Sequence, residues 1–328
     1  MAVTIKDVAR LAGVSASSVC RTLADPGAVL PGTREQVEKA VRELGYYPNR
    51  AARGLSTGRT GNLGVVLPDL ANPFFASVVK AAQTQARRLD YAVFLSDIDE
   101  DPAVETLLIR ALAKQVDGFL LCSPRSSDDE LRAFAGHTPI VLLNRRIGPF
   151  PSVTVDAADG MRQALTHLHA LGHRRVAYVA GPRSSWSNRE RLRGLRAVAG
   201  TLGVDLVEVG NVPPTVEGGV SIADVVLAST VTAVLAYNDL TALGLLNRFH
   251  ARSVAVPGDI SVIGFDGILL SALVSPALTT IAVEMDRIGR VGVDLLLETM
   301  TDPGRTPIRR VLPAQLIVRA STGPARPS

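Results

Sequence analysis

The sequence predicts a chain in two parts, a small all-α module followed by a larger, two-lobed α/β body. Three observations carry that prediction. The first 60 residues read as short amphipathic helices broken by Gly and Pro. The texture then changes at Thr57-Gly58-Arg59-Thr60-Gly61. Beyond it, apolar runs of strand length alternate with amphipathic helices, and the alternation restarts once, the pattern of two parallel sheets flanked by helices. At 328 residues the chain is too long for one ordinary core. Its 47% hydrophobic and 20% charged content excludes disordered and collagen-like classes.

In chain order, Thr4 is placed to cap a helix from Ile5 to about Ala12, with Asp7 three residues on and Gly13 as the stop. Ser15 caps a second helix after a turn of about three residues, the spacing of a helix-turn-helix. Val8, Ala12, Val14, Val19 and Leu23 supply a small core between the two. A third helix is expected to start with Thr33 as cap and Gln36 reciprocating, and Val37, Val41 and Leu44 then share one face. In such units the amino-terminal half of the second helix enters the major groove of DNA. That places Ala16, Ser17 and Arg21 toward base edges: a methyl for thymine, a hydroxyl for several bases, and a bidentate fork for guanine. Charge alone does not decide the matter. The net +4 is mild, although residues 1–60 carry nine Lys and Arg against five Asp and Glu.

In the body, strands are expected at Leu63 to Leu67, Ala92 to Ser96, Gly118 to Cys122, Ile140 to Leu143 and Val153 to Val155. The second lobe repeats the pattern at Val176 to Ala180, Leu206 to Val209, Ala233 to Ala236 and Ser261 to Phe265. Ligands of such sheets bind outside the carboxyl ends of the strands, so the loops after these runs are the candidate site. The predicted boundaries are a headpiece at 1–48, a hinge and linker at 49–60, and a ligand-binding and dimerisation domain at 61–323. Lobe 1 takes about 61–155 and 286–312, and lobe 2 about 156–283 and 313–323. The Pro- and Gly-containing stretch 324–328 is expected to fray.

The opening residues lack the apolar run of a secretory signal, and no stretch of about 18 apolar residues occurs, so a cytoplasmic, nucleoid-associated protein is expected. Cys20 and Cys122 have neither metal-ligand spacing nor reason to pair, and read as partly buried thiols. No P-loop, Gly-x-Ser-x-Gly elbow or zinc-ligand pair is present, and the sequence implies no catalytic residue, metal or cofactor.

Thr4-Ile5-Lys6-Asp7-Val8-Ala9, then Gly13-Val14-Ser15, Leu44-Gly45-Tyr46-Tyr47-Pro48-Asn49 and Ala52-Arg53-Gly54-Leu55, resemble the opening of the lactose repressor (LacI/GalR-type) family of bacterial transcription regulators. The resemblance implies a helix-turn-helix DNA-binding domain joined to a two-lobed, periplasmic-binding-protein-like effector domain. It implies a homodimeric repressor on a pseudo-palindromic operator, switched by a small molecule. It further implies a hinge helix that folds on DNA, in which Leu55 matches a leucine that wedges into the minor groove and Ala52 permits close helix pairing. Gly54 costs such a helix about 1 kcal/mol relative to alanine, which favours ordering on operator only. Thr4, Ser15, Ser18, Asn49 and Arg50 complete the expected DNA-contacting set. Cys20 and Ala24 stand where serine and asparagine are usual, which leaves phosphate contacts there open.

In the body the resemblance implies effector contacts from Asn72, Phe74, Asn144, Trp186, Arg189, Asn238 and Asp266, with Arg189 in the place of the ligand-gripping arginine. The donors and acceptors suit a neutral polyhydroxylated ligand, most simply a sugar. The 4% aromatic content gives a purine less support. Gly267 stands where relatives often carry a second aspartate, implying a roomier or more apolar pocket on that side. Two alternatives stay open: a regulator answering to a purine or other metabolite, and a stand-alone sugar-binding protein.

Overall fold

The computed structural model describes residues 3–46, 59–302 and 304–326, with the side chains of Ala24 and Pro26 left aside. The chain divides into two compact units, Met1–Gly61 and Asn62–Ser328.

In the first unit, α1 (Ile5–Ala12), α2 (Ala16–Ala24) and α3 (Pro31–Leu44) are joined by Gly13 in the left-handed region (φ 67°) and by a short 3₁₀ turn at Pro26–Ala28. Val8, Ala9, Ala12, Val19, Val37 and Ala40 are buried together, with Val14 and Leu23 packed against them. The Asp7 carboxylate accepts from both the Thr4 amide (3.0 Å) and the Thr4 hydroxyl (2.7 Å), which holds it below the usual carboxylate range. The expected start of the third helix at Thr33 is corrected. The helix opens at Pro31, whose fixed φ and missing N–H suit the first turn, so Thr33 lies inside it. A further expected helix, over the hinge, lies outside the described residues.

The second unit contains two six-stranded sheets. The first holds β1 (Asn62–Leu67), β2 (Ala92–Asp97), β3 (Gly118–Cys122), β4 (Ile140–Leu143), β5 (Ser152–Val155) and β11 (Arg309–Leu312), in the order β11-β5-β4-β3-β1-β2 and all parallel. The second repeats that order with β6 (Arg175–Val179), β7 (Asp205–Val209), β8 (Ala233–Ala236), β9 (Ser261–Asp266), β10 (Thr279–Val283) and β12 (Ala314–Ile317), as β12-β10-β9-β8-β6-β7. Only β12 runs antiparallel to its neighbour. The helices between strands are α4 (Pro73–Arg88), α5 (Pro102–Leu112), α6 (Asp128–Arg132), α7 (Ala157–Ala170), α8 (Trp186–Leu202), α9 (Val216–Ala228), α10 (Asp239–Ala251), α11 (Leu270–Leu273) and α12 (Met285–Thr301).

Each sheet receives its last strand from the carboxyl-terminal part of the chain. The chain therefore crosses between lobes three times, between β5 and α7, β10 and α12, and β11 and β12. Central strands β3, β4 and β8 are buried along their whole length, as the near-continuous apolar runs of parallel sheets require.

Two sequence expectations are corrected. Cys20 is exposed and Cys122 fully buried, so the thiols do not share one environment. The stretch expected to fray is held through residue 326. The Ala325 amide donates to the Leu171 carbonyl at 2.8 Å, and Arg326 donates to the Gly258 carbonyl and pairs with Asp259. Just before it, Gly323 bonds Ser261 and His173. Fixed partners for its backbone anchor this segment without an apolar pattern of its own.

Candidate functional site

On the helix-turn-helix unit, Ser15 caps α2 by accepting from the Ser18 amide at 3.1 Å. Its hydroxyl also lies 2.9 Å from that of Ser18 and 3.3 Å from that of Ser17, which makes a compact cluster of hydroxyls at the helix start. Ser17 and Arg21 are exposed and Ala16 is half-buried. Arg21 makes no ion pair among the described residues, so its guanidinium fork is available to a partner. Thr22 anchors the opposite face, buried and donating to the Ser18 carbonyl at 2.8 Å. Asn49, Arg50, Ala52 and Leu55 lie outside the described residues.

Between the lobes, a cleft gathers residues from the carboxyl ends of strands in both sheets. Asn72, the cap of α4, is buried and accepts from the Phe74 amide at 3.0 Å. Phe74 is buried beside Phe75 in an edge-to-face pair with ring centroids 5.1 Å apart. Asn144, just past β4, donates to the Ser123 hydroxyl at 3.0 Å, and the Ser187 hydroxyl of the other lobe donates to the Asn144 carbonyl at 3.1 Å. Asn238 caps α10, accepting from the Thr241 amide and hydroxyl and donating to the Pro214 carbonyl. Three residues lining the cleft hold positive φ without being glycine: Ser123 (44°), Asn144 (56°) and Asp266 (116°). Such strain is held only where the surroundings impose it, and it clusters at ligand sites.

The arginine that meets Asp266 in the cleft is Arg191, not Arg189; Arg125 lines the cleft from the other lobe. Arg191 is 3% exposed, with its guanidinium 3.5 Å from the centroid of the Phe265 ring and 4.8 Å from that of Tyr237. It donates to the Tyr237 carbonyl and, at 3.4 Å, to Asp266. Its Nε is buried without a partner among the described residues. Arg189 is exposed and donates to the carbonyls of Arg183 and Ser184, closing the turn before α8 rather than entering the cleft. The physical reason is helical periodicity, since two residues along a helix turn the side chain by roughly 200°. The buried positions of α8 include Ser187, Asn188, Arg191, Gly194 and Leu195, a stripe that contains 191 and leaves out 189. That stripe is the signal in the sequence that points to Arg191. Trp186 is half-buried at the start of α8 and does not line the cleft.

Asp266 is fully buried, and burial pushes its carboxyl well above the usual range against the opposing pull of Arg191. Asp239, buried beside it, is raised by burial and then by the charge of Asp266, although it accepts from Thr280 and from the amides of Gly267 and Ile268. Of the roomier or more apolar pocket expected at Gly267, the roomier alternative is corrected. Gly267 has φ 77°, and a Cβ there would lie 2.7 Å from that of Ala282, so the space a side chain needs is already filled.

A helix-turn-helix unit with an exposed groove-reading face, joined to a two-lobed domain with a polar cleft, defines a ligand-binding DNA regulator. A model of the bacterial regulatory proteins of the lacI family matches residues 4–49, and one of periplasmic binding protein-like domains matches residues 165–322. The HTH-type transcriptional repressor CytR of Escherichia coli (strain K12) is 32% identical, across 98% of this chain and 96% of its own. The lac repressor dimer, solved bound to operator and the anti-inducer ONPF, is 30% identical with a TM-score of 0.89, covering 98% of this chain and 100% of that one. The transcriptional regulator CelR, solved as a cellobiose complex, is 30% identical with a TM-score of 0.73, covering 97% and 99%. The chain belongs to the lacI family of bacterial regulatory proteins. It is accordingly a ligand-responsive, DNA-binding transcription regulator, and its relatives are regulators rather than enzymes. Among the described residues no helix is long and apolar enough to cross a membrane.

Proposed function

We propose that this regulator represses transcription as a homodimer on a pseudo-palindromic operator, and that a sugar bound between its lobes sets its operator affinity. The observation that carries the effector half is Arg191. A buried guanidinium stacked on Phe265, its Nε without a partner among the described residues, lines a cleft that also holds Asp266, Asn144 and Ser123. A buried donor left unpaired costs about 1–3 kcal/mol, and a ligand oxygen removes that cost. Amide and guanidinium donors beside the carboxyl acceptor, Asp266, match a polyol, and CelR, of like fold, is solved with cellobiose. Asn72, Phe74 and Asn238 shape the same cleft, while Trp186 and Arg189 lie outside its inner part.

On the DNA side, Ser17 and Arg21 read base edges with Ala16 beside them, and Thr4, Ser15 and Ser18 position the unit on the backbone. Asn49, Arg50, Ala52 and Leu55 carry the hinge and minor-groove contacts. The protein works in the cytoplasm and has no enzymatic activity. The test begins with selection of an operator from random duplexes. Binding to the selected operator is then followed by fluorescence anisotropy at fixed salt with a panel of sugars, sugar phosphates and purines. A sugar is expected to shift operator affinity. A shift by purines alone would replace the sugar reading, and binding to all duplexes alike would defeat the operator reading.

A further inference from the structure

Lobe 1 has a second concavity, at the end of its sheet away from the cleft. It lies between α5 and the segment that follows α6, and it encloses about 250 Å³. β4 sets its distance from the cleft. Ile140, the first residue of that strand, lines the pocket, and Asn144, just past the last, lines the cleft. At about 3.3 Å per residue the two lie roughly 13 Å apart. Small-molecule sites begin at roughly 300 Å³, so the pocket suits a ligand of few atoms.

Most of the lining is apolar. Ile109 and Ile140 are buried, and Ala113 and Phe134 are half-buried. Three polar groups stand with them: the Arg110 guanidinium, 6.0 Å from the centroid of the Phe134 ring, the His137 imidazole and the Thr138 hydroxyl. None of these three side chains has a hydrogen-bond or ion-pair partner among the described residues, and no carboxylate of those residues lines the pocket. Arg110 stays charged at any working pH, and its planar fork matches a carboxylate. A cation is repelled here. A sugar phosphate or an inorganic anion leaves Ile109, Ile140 and Phe134 uncovered, and a neutral apolar molecule leaves the fork to water. A short apolar body ending in one carboxylate satisfies both halves of the lining.

The pocket shares α5 with the cleft. One turn before Ile109 on that helix, the buried Glu105 accepts from the Ser126 hydroxyl and from the amides of Arg125 and Ser126, at 3.0 and 2.6 Å. Arg125 in turn lines the cleft. A shift of α5 therefore reaches the cleft through direct hydrogen bonds.

We propose that this pocket is a second ligand site, separate from the cleft, for a small monocarboxylic acid with an apolar body, and that its occupancy alters operator affinity through α5. Neither half depends on which ligand fills the cleft.

The test is calorimetric titration of the full-length protein with hexanoate and phenylacetate, and with acetate, hexylamine and 1-hexanol as controls. At least one of the two longer acids is expected to bind about tenfold or more tightly than every control. Arg110→Met, which keeps an apolar stem and removes the fork, should weaken that acid about tenfold and leave 1-hexanol within about twofold. Ala113→Leu fills the pocket and should abolish binding of the acid. Arg110 is exposed, so its variant decides the matter even if Ala113→Leu destabilises lobe 1. The site is overturned if neither acid binds, if hexylamine or 1-hexanol binds as tightly, or if the acid binds the Arg110 variant as it binds the parent. Anisotropy of labelled operator with the acid at saturation tests the second half. A change of about twofold or more in operator affinity, lost in Arg110→Met, is expected, and an unchanged affinity with the acid bound would overturn the link through α5.

Discussion

Arg189 and Arg191 sit two residues apart in one helix and lead different lives, one capping a turn in solvent and the other buried between two aromatic rings. Composition and motif order do not separate them. The spacing of Gly194 and Leu195 does, because a buried stripe runs back through position 191. The titration of the cleft is not legible in the sequence, because it depends on Asp266 at the end of β9 being buried against Arg191 of α8. It has a measurable consequence. Burial pushes Asp266 up to about 7, above its ordinary value of 3.8. Between those values the folded state binds a proton that the unfolded state has released, so stability falls as pH rises from about 4 and the loss is complete above about 7. Asp266→Asn removes this titration. Unfolding free energies from urea titrations at pH 5 and pH 8 are therefore expected to differ less in the variant than in the parent, by on the order of 1 kcal/mol or more. A parent protein more stable at pH 8 than at pH 5 would contradict the burial argument. On the DNA side, Arg21→Ala is expected to lose about 1–3 kcal/mol at one base position and to relax the preference there. Competition against single-base operator variants is the measurement, and an equal loss on every sequence would make Arg21 a backbone contact.

Elements were easier to read than side-chain roles. The apolar runs of β3, β4 and β8 are self-contained signals, since a parallel strand buried on both faces needs nothing from distant sequence to reveal it. β11 and β12 are short and half-exposed, and become strands only because β5 and β10 offer them an edge. Likewise the start of α3 is masked in the sequence because Thr33 and Gln36 mimic a capping box inside a helix that Pro31 has already begun. Close helix packing leaves a fainter trace, and α9 against α10 shows why. A Cβ on Gly244 would lie 2.0 Å from the Val216 carbonyl oxygen, and one on Gly219 2.1 Å from that of Thr241. These are backbone contacts, so no rotamer relieves them. Gly244→Ala is expected to destabilise by about 3 kcal/mol, at the top of the overpacking range. Gly200→Ala, on the exposed face of α8 with nothing within 4 Å, should stabilise by up to about 1 kcal/mol. Thermal melts of the two variants check the pair, and similar shifts for both would mean that α9 and α10 separate at little cost.

At the scale of the molecule, three crossings tie the lobes together, and their facing loops meet through the Ser187 and Asn144 hydrogen bond and through the walls of the cleft. A ligand moves such an equilibrium only by binding one arrangement better than the other. If the arrangement it favours differs in operator affinity, the two binding events share one coupling free energy, and that quantity is the same from either side. The prediction is therefore an equality. Whatever factor the saturating effector changes operator affinity by, typically about 5- to 150-fold, saturating operator should change effector affinity by the same factor and in the same direction. Anisotropy of labelled operator with and without effector gives the first factor, and calorimetry of effector with and without operator gives the second. Both must be taken at one ionic strength, because counterion release makes operator affinity fall steeply with salt. Inequality beyond error would show that more than the two linked states take part, and a factor of one on both sides would remove the cleft from control of DNA binding altogether.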